Sequence, residues 1–162
     1  MKTNLSDPNA VAAAAATVLR THPIAVLATS DIRSQPWAVP VHQVTMPDGS
    51  LNWRSSRSAR HSLDLATNAK AMMVLFSATN EQGEIALYLE GAVSEVVDAA
   101  AIQTIVEVRY ANTSLKPTLA DFSGENEYRF YRFIPTAAWL NDDAHEKTSV
   151  DMKLLLAALT AV

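Results

Sequence analysis

Apolar and polar residues along this chain fall into blocks whose period changes repeatedly, and each change marks an element. Residues 10–19 are alanine and aliphatic almost throughout and follow Ser6-Asp7-Pro8, a polar cap with proline at an early helical position. That pattern predicts a first helix ending near Arg20 to Pro23. Residues 24–29 form a short apolar run bounded by Pro23 and by Ser30-Asp31, which reads as a buried strand. The stretch 37–44 is rich in β-formers, but Pro36 and Pro40 lack backbone donors, so it belongs on an edge or at a bulge. Met46-Pro47-Asp48-Gly49-Ser50 is a turn leading into Leu51-Asn52-Trp53, and the whole makes a hairpin or meander.

A short helix is predicted to open at Ser58, with Leu63, Leu65 and Ala66 as apolar positions and Asn68 near its end. Residues 71–76 read as a buried strand. After a turn at Glu81-Gln82-Gly83, residues 85–97 read as a longer one, with Gly91 at a bulge or bend. Residues 98–110 carry apolar side chains at Ala101, Ile102, Ile105, Val106 and Val108, a helical spacing capped by Asp98. A polar loop, a β segment at 128–140 and a helix at 150–162 complete the pattern. Helices inserted between groups of strands argue against a doubly wound parallel sheet. The expectation is a mainly β, α+β fold: a six- to seven-stranded antiparallel split β-barrel with peripheral helices. One domain covers 1–162, with an N-terminal helix within 1–22 and a C-terminal helix within 148–162. A small barrel of this kind removes exposed edges and often hides the remainder in a dimer.

Composition narrows the function classes. A chain of 162 residues with 49% hydrophobic and 19% charged side chains can bury one core. Its net charge of −4 supplies no general attraction to nucleic acid or an anionic membrane, so any bound anion needs a local site. The absence of cysteine excludes disulfides, iron–sulfur clusters and thiol catalysis and fits a reducing cytoplasm. No stretch approaches the roughly 18 apolar residues of a membrane span. The alanine run, preceded by an acid, is a poor signal core, so an uncleaved cytoplasmic protein is expected.

The chemistry concentrates in Trp53-Arg54-Ser55-Ser56-Arg57-Ser58-Ala59-Arg60-His61-Ser62. Three of the eight arginines lie within seven residues, and no acid occurs between Asp48 and Asp64. A strand ending at Arg54 and a helix beginning near Ser58 would aim helix N–H groups, four serine hydroxyls and three guanidiniums at one volume, a phosphate site. A solvated basic turn with Ser58 as an ordinary helix cap accounts for the same residues, and spacing leaves the two readings about even. Other candidates weigh less. Asp142, Asp143, His145 and Glu146 are metal-capable, but an exposed acidic turn outweighs a metal site there. His22 and His42 read as locally hydrogen-bonded. Trp37, Trp53 and Trp139, with the aromatic stretch 128–133, read as core and interface before ligand-stacking groups. Helical spacing would put Ser58, His61 and Asp64 on one solvent face without oxyanion donors, which rejects acyl transfer.

In order along roughly residues 20–140, several segments resemble the pyridoxamine 5'-phosphate oxidase-like flavoproteins with the FMN-binding split barrel. They are Ile24-Ala25-Val26-Leu27-Ala28-Thr29, Pro36-Trp37-Ala38-Val39-Pro40-Val41, and Arg54-Ser55-Ser56 followed by Ala59-Arg60-His61 and Asp64-Leu65. Residues 71–76, Leu87-Tyr88-Leu89-Glu90-Gly91-Ala92-Val93, and Arg129 to Pro135 through Trp139 complete the set. The resemblance implies FMN as cofactor, with Arg60 and His61 at its phosphate. Ser55 and Ser56, beside Arg54, would lend hydroxyls or N–H groups. Val39, Pro40 and Val41 would pass along the isoalloxazine ring, and Trp139 would reach in from the second subunit of a homodimer. His61 stands where the family has lysine, and Ala86 where the vitamin oxidases carry glutamine. The implied activity is flavin-mediated redox of a small molecule, with no catalytic side chain assigned; the alternative is a non-catalytic flavin- or heme-binding, sensing protein of the same fold.

Overall fold

A computed structural model describes residues 6–76, 85–141 and 146–161. Helix α1 (Pro8–Thr21) begins as its sequence demands: the Asp7 carboxylate accepts the Asn9 N–H at 2.9 Å, and Pro8 fills a position that needs no donor. Its small side chains allow close approach, and Val11, Ala12, Ala15, Ala16, Val18 and Leu19 are buried. Much of that face meets α4 (Met152–Thr160), which is capped by Asp151 and buries Leu155 and Leu159.

Seven strands form one antiparallel sheet: β1 (Ile24–Ser30), β2 (Pro36–Thr45), β3 (Leu51–Ser56), β4 (Lys70–Phe76), β5 (Ala86–Glu95), β6 (Tyr128–Asn141) and β7 (Lys147–Ser149). Their order is β3-β2-β1-β4-β5-β6-β7, and an additional β3–β6 pairing closes the first six into a barrel. This is the expected architecture. Period-two alternation turns Ala25 and Leu27, Met73 and Leu75, Leu87 and Leu89, and Tyr131 and Phe133 inward, where they are buried. Trp53 stacks on Tyr131 in that interior with ring centroids 5.7 Å apart.

Gly91 marks the predicted bulge. The β5–β6 register shifts between Glu90 and Gly91, and a Cβ there would collide with the Ile134 carbonyl oxygen and lie 2.8 Å from Phe133 Cζ. Helix α3 (Ala99–Tyr110) starts at Asp98 as predicted and covers a second apolar cluster outside the barrel, formed with Met46, Val96, Phe122 and Phe130. A 3-10 turn, Leu119–Phe122, sits in the segment read as a polar loop.

Three boundaries differ from expectation. Strand β3 runs to Ser56, because β6 pairs with it as far as Ser56↔Tyr128. The second helix, α2 (Arg60–Thr67), therefore starts two residues after Ser58. The polar strand β7 is recruited by pairing with residues 139–141 of β6, which no apolar pattern announces. The turn at Glu81-Gln82-Gly83 and three of the four acidic-turn candidates, Asp142, Asp143 and His145, lie outside the described residues. Among the described residues no helix is long and apolar enough to cross a membrane.

The barrel is split at one seam. β2 pairs with β3 only through residues 43–45, whereas residues 36–42 hydrogen-bond to β1 alone. The prolines at 36 and 40 sit on that free edge, where a missing donor costs no ladder bond. Helix α2 lies in the gap and packs on β1 and β2.

Candidate functional site at the split

α2 is fastened by two polar bonds on its inward face. Ser55 Oγ, on β3, and His61 Nε2 lie 2.7 Å apart in a buried hydrogen bond, and Thr29 of β1 donates its hydroxyl to Asp64 Oδ2 at 3.0 Å. His61 is 8% exposed and Asp64 3%. Both thus face the barrel rather than solvent, which corrects the reading of Ser58, His61 and Asp64 as one solvent face. Acyl transfer still has no triad, since the Ser58 hydroxyl bonds Ser56 and Glu127 while His61 takes Ser55. Burial holds the His61 imidazole below its ordinary pKa, against the opposing pull of Asp64. A buried neutral imidazole offers hydrogen bonds but no permanent charge.

Arg60 lies on the outer side of the same helix. Its Nε donates to Asp64 Oδ1 at 2.8 Å, an i,i+4 pair, and its Nη2 stands 3.6 Å from Asp31 Oδ2. The guanidinium also faces the Trp37 ring with its carbon 5.9 Å from the centroid. The Asp64 hydrogen bond foremost raises the Arg60 pKa, and Asp31 adds to it. Asp31 itself is held below the usual carboxylate range chiefly by the Gln35 backbone N–H, with Arg33 and Arg60 assisting. The side chain remains 43% exposed, so it keeps N–H groups for a ligand.

Before α2 the serines are already engaged. Ser56 and Ser58 hydroxyls both donate to the Glu127 carboxylate, and the Arg57 N–H donates to the Glu127 carbonyl at 2.9 Å. The Ser56 bond first, then Ser58, keeps the Glu127 pKa low. Ser58 consequently does not cap the helix: the N-cap is Ala59, with no side-chain acceptor, and the first turn of α2 has no acid. Its leading N–H groups present the positive end of the helix without a side-chain partner.

The basic segment of the sequence is thus compensated in space by Asp31, Asp64 and Glu127, which arrive from the β1–β2 turn, α2 itself and the residue before β6. Only Asp64 was legible, from its i,i+4 spacing to Arg60; Asp31 and Glu127 carry no local signal.

Of the implied site residues, the structure brings together Ser55, Ser56, Arg60 and His61 around α2, beside the free edge that carries Val39, Pro40 and Val41. Val39 and Val41 point inward and Pro40 outward. Arg54 does not join them. It lies over the Tyr128 ring at 4.6 Å and lines a separate cavity with Lys116, Tyr110 and Phe122.

Trp139 lies on the barrel's outer face. Cross-strand register places Pro40, Val26, Val74, Tyr88 and Trp139 in one row over β2, β1, β4, β5 and β6. Four strand spacings of about 4.8 Å, roughly 19 Å measured around the curved sheet, lie between Pro40 and Trp139 along that row. The neighbouring row is Ala38, Ala28, Met72, Glu90 and Ala137. With Ile24 50%, Met72 37% and Phe76 53% exposed, this face is largely apolar, with the exposed Lys70 and Glu90 on it and Lys147 over the Tyr88 ring.

No family model matches the chain, and no curated protein matches its sequence. Solved structures match its backbone. A heme-binding protein from Mycobacterium smegmatis superposes with a TM-score of 0.70 at 18% identity, covering 91% of this chain and 60% of that one. An FAD-binding protein from Mesorhizobium loti gives 0.60 at 15% identity over 78% of this chain and 91% of that one. A Listeria innocua protein provisionally described as a pyridoxamine 5'-phosphate oxidase gives 0.57 at 18% identity, covering 75% and 90%. This chain therefore shares its split-barrel fold with solved structures described as a pyridoxamine 5'-phosphate oxidase, an FAD-binding protein and a heme-binding protein.

Proposed function

We propose that the protein holds FMN at the split, between two copies of the chain, and uses it for redox of a small molecule. The observation that carries this reading is the uncapped first turn of α2, with the half-exposed Arg60 beside Trp37, opening onto the free edge of β2. Helix N–H groups and a guanidinium fit a phosphate monoester. Residues 39–41 offer main-chain groups on their open side to a flat ring, less the donor that Pro40 lacks. Asp64 positions Arg60, and Thr29 positions Asp64. The apolar outer face is of a kind that a second copy would cover, and in that arrangement Trp139 serves the partner's site. Bound flavin would supply hydride and electron transfer; the chain supplies anchoring, orientation and exclusion of water.

FMN and riboflavin titrations, read by flavin fluorescence and absorbance, test the reading. FMN should bind more tightly than riboflavin. Arg60→Ala should weaken FMN roughly 10- to 150-fold, the equivalent of about 1.5–3 kcal/mol for a charge-assisted bond, and leave riboflavin unchanged. Protein that alters neither signal is not a flavoprotein.

A second reading, a flat ligand such as heme held without turnover, is favoured by the compensation of the site. Arg60 already faces two carboxylates, Ser56 and Ser58 hold a third, and His61 is buried and neutral-leaning. That arrangement weakens the pull on a phosphate dianion without penalising an apolar ring. A new Soret band on adding hemin, with FMN fluorescence unaffected, selects this reading.

A further inference from the structure

A cavity of about 470 Å³ lies on a different part of the molecule, among the C-terminal turns of α1, α3 and α4 and the second half of β2. Its size falls within the roughly 300–1,000 Å³ typical of small-molecule sites. Leu19, Val44, Met46, Val108 and Leu159 give it apolar walls, and Arg20 and Arg109 supply its charge. Among the described residues no Asp or Glu lines it.

Both arginines are held in place by backbone carbonyls. Arg20 Nη2 donates to the Ala158 and Leu159 oxygens at 2.6 and 3.1 Å, and Arg109 Nη1 donates to the His42 oxygen at 2.7 Å. Each bond set engages one terminal nitrogen of a guanidinium that has five N–H donors, so each fork is oriented yet has donors to spare. Neither guanidinium is in an ion pair among the described residues. Arg20 caps the last carbonyls of α4, Arg109 reaches a carbonyl of β2, and both stand in the last turn of their own helices, where the dipole favours a cation. Both also line an apolar well to which no described residue brings a carboxylate. His42, on the same wall, is held below its ordinary pKa by burial and by Arg109, so it adds hydrogen bonding and little charge.

We propose that this cavity binds a small organic anion, an apolar chain or ring bearing one carboxylate, with the body on Met46, Val44 and Val108 and the head on Arg109 and Arg20. A planar carboxylate suits a guanidinium fork, and the aliphatic walls disfavour a polyhydroxylated or nucleotide ligand. Apart from His42, which ends the free edge of β2, the site involves none of the residues at the split, and its test on the cofactor-free chain stands or falls independently of the cofactor reading.

Decanoate is the probe, titrated into the full-length, cofactor-free chain and followed by NMR, with the His42 imidazole as local reporter. Decanoate should bind once per chain and shift His42. Decanol, which has the same body without the charge, should bind at least about tenfold more weakly, as loss of a charge-assisted bond requires. Val108→Glu places a carboxylate at a position already 44% exposed, so the fold should hold while decanoate binding is lost. Arg109→Gln should weaken binding by a similar factor. The proposal is overturned by no decanoate binding, by equal affinity for decanol, by undiminished binding in Val108→Glu, or by binding that leaves His42 unmoved.

Discussion

His61 illustrates how one imidazole is turned from a candidate cation into a structural bond. Its Nε2 meets Ser55 inside the split, and burial outweighs the Asp64 carboxylate in setting its pKa below the ordinary 6.5. The folded protein therefore binds this proton less readily than the unfolded chain. The stability contributed by His61 is complete above the unfolded pKa and is lost as pH falls from there to the depressed value. His61→Gln, which keeps a hydrogen-bonding partner for Ser55 but cannot titrate, should lose less stability than the parent between about pH 7.5 and about pH 5.5, measured as urea midpoints. Equal losses would show that the imidazole does not report the seam. Glu127 makes a complementary case at the serine turn. It is exposed, so Glu127→Gln should leave the unfolding midpoint nearly unchanged. By removing the carboxylate that Ser56 and Ser58 hold, it should raise FMN affinity several-fold over riboflavin, as removal of one nearby like charge predicts. A rise for both ligands alike would place the phosphate elsewhere.

At the scale of elements, Gly91 carries the sharpest constraint. Its missing side chain lets β5 lie against the Ile134 carbonyl where the register with β6 shifts, so Gly91→Ala must displace backbone rather than a flexible side chain. The expected loss is about 1–3 kcal/mol of unfolding free energy, read from denaturant curves, with the free edge of β2 unaffected. A neutral substitution would mean that the bulge moves freely. This glycine, the Asp7 and Asp98 caps and the strand periods were legible because each depends on residues adjacent in sequence. Where an element is set by a distant partner, local pattern stops short. β3 continues past Arg54 because residues 128–130 pair with it, α2 starts late because Ser58 is drawn to Glu127, and Lys147-Thr148-Ser149 is a strand only through β6. The candidate site follows the same rule. The basic run was visible, but two of its counter-charges come from elsewhere in the chain, so its charge could not be summed from the segment alone.

For the whole molecule, the question is what lies against the outer sheet. The rows through Val26, Val74 and Tyr88 and through Ala28 and Met72 span five strands, with Glu90 among them and the Lys147 ammonium 5.0 Å from the Tyr88 ring centroid. Exposed sheet of that breadth favours burial against a like surface, and on the proposed reading two-fold pairing brings one protomer's Trp139 toward its partner's split. On the proposed reading, dimerisation and cofactor binding are one property measured in two ways. Met72 is 37% exposed, so Met72→Glu should leave the barrel folded while reducing the sedimentation mass from twice 17.6 kDa to 17.6 kDa. It should also weaken FMN binding, because half of the site departs with the partner. A parent protein that sediments as a 17.6 kDa monomer and still binds FMN would detach the cofactor from this face. A Met72→Glu monomer with undiminished FMN affinity would confine the site to α2 and the free edge of β2, leaving Trp139 without a part in it.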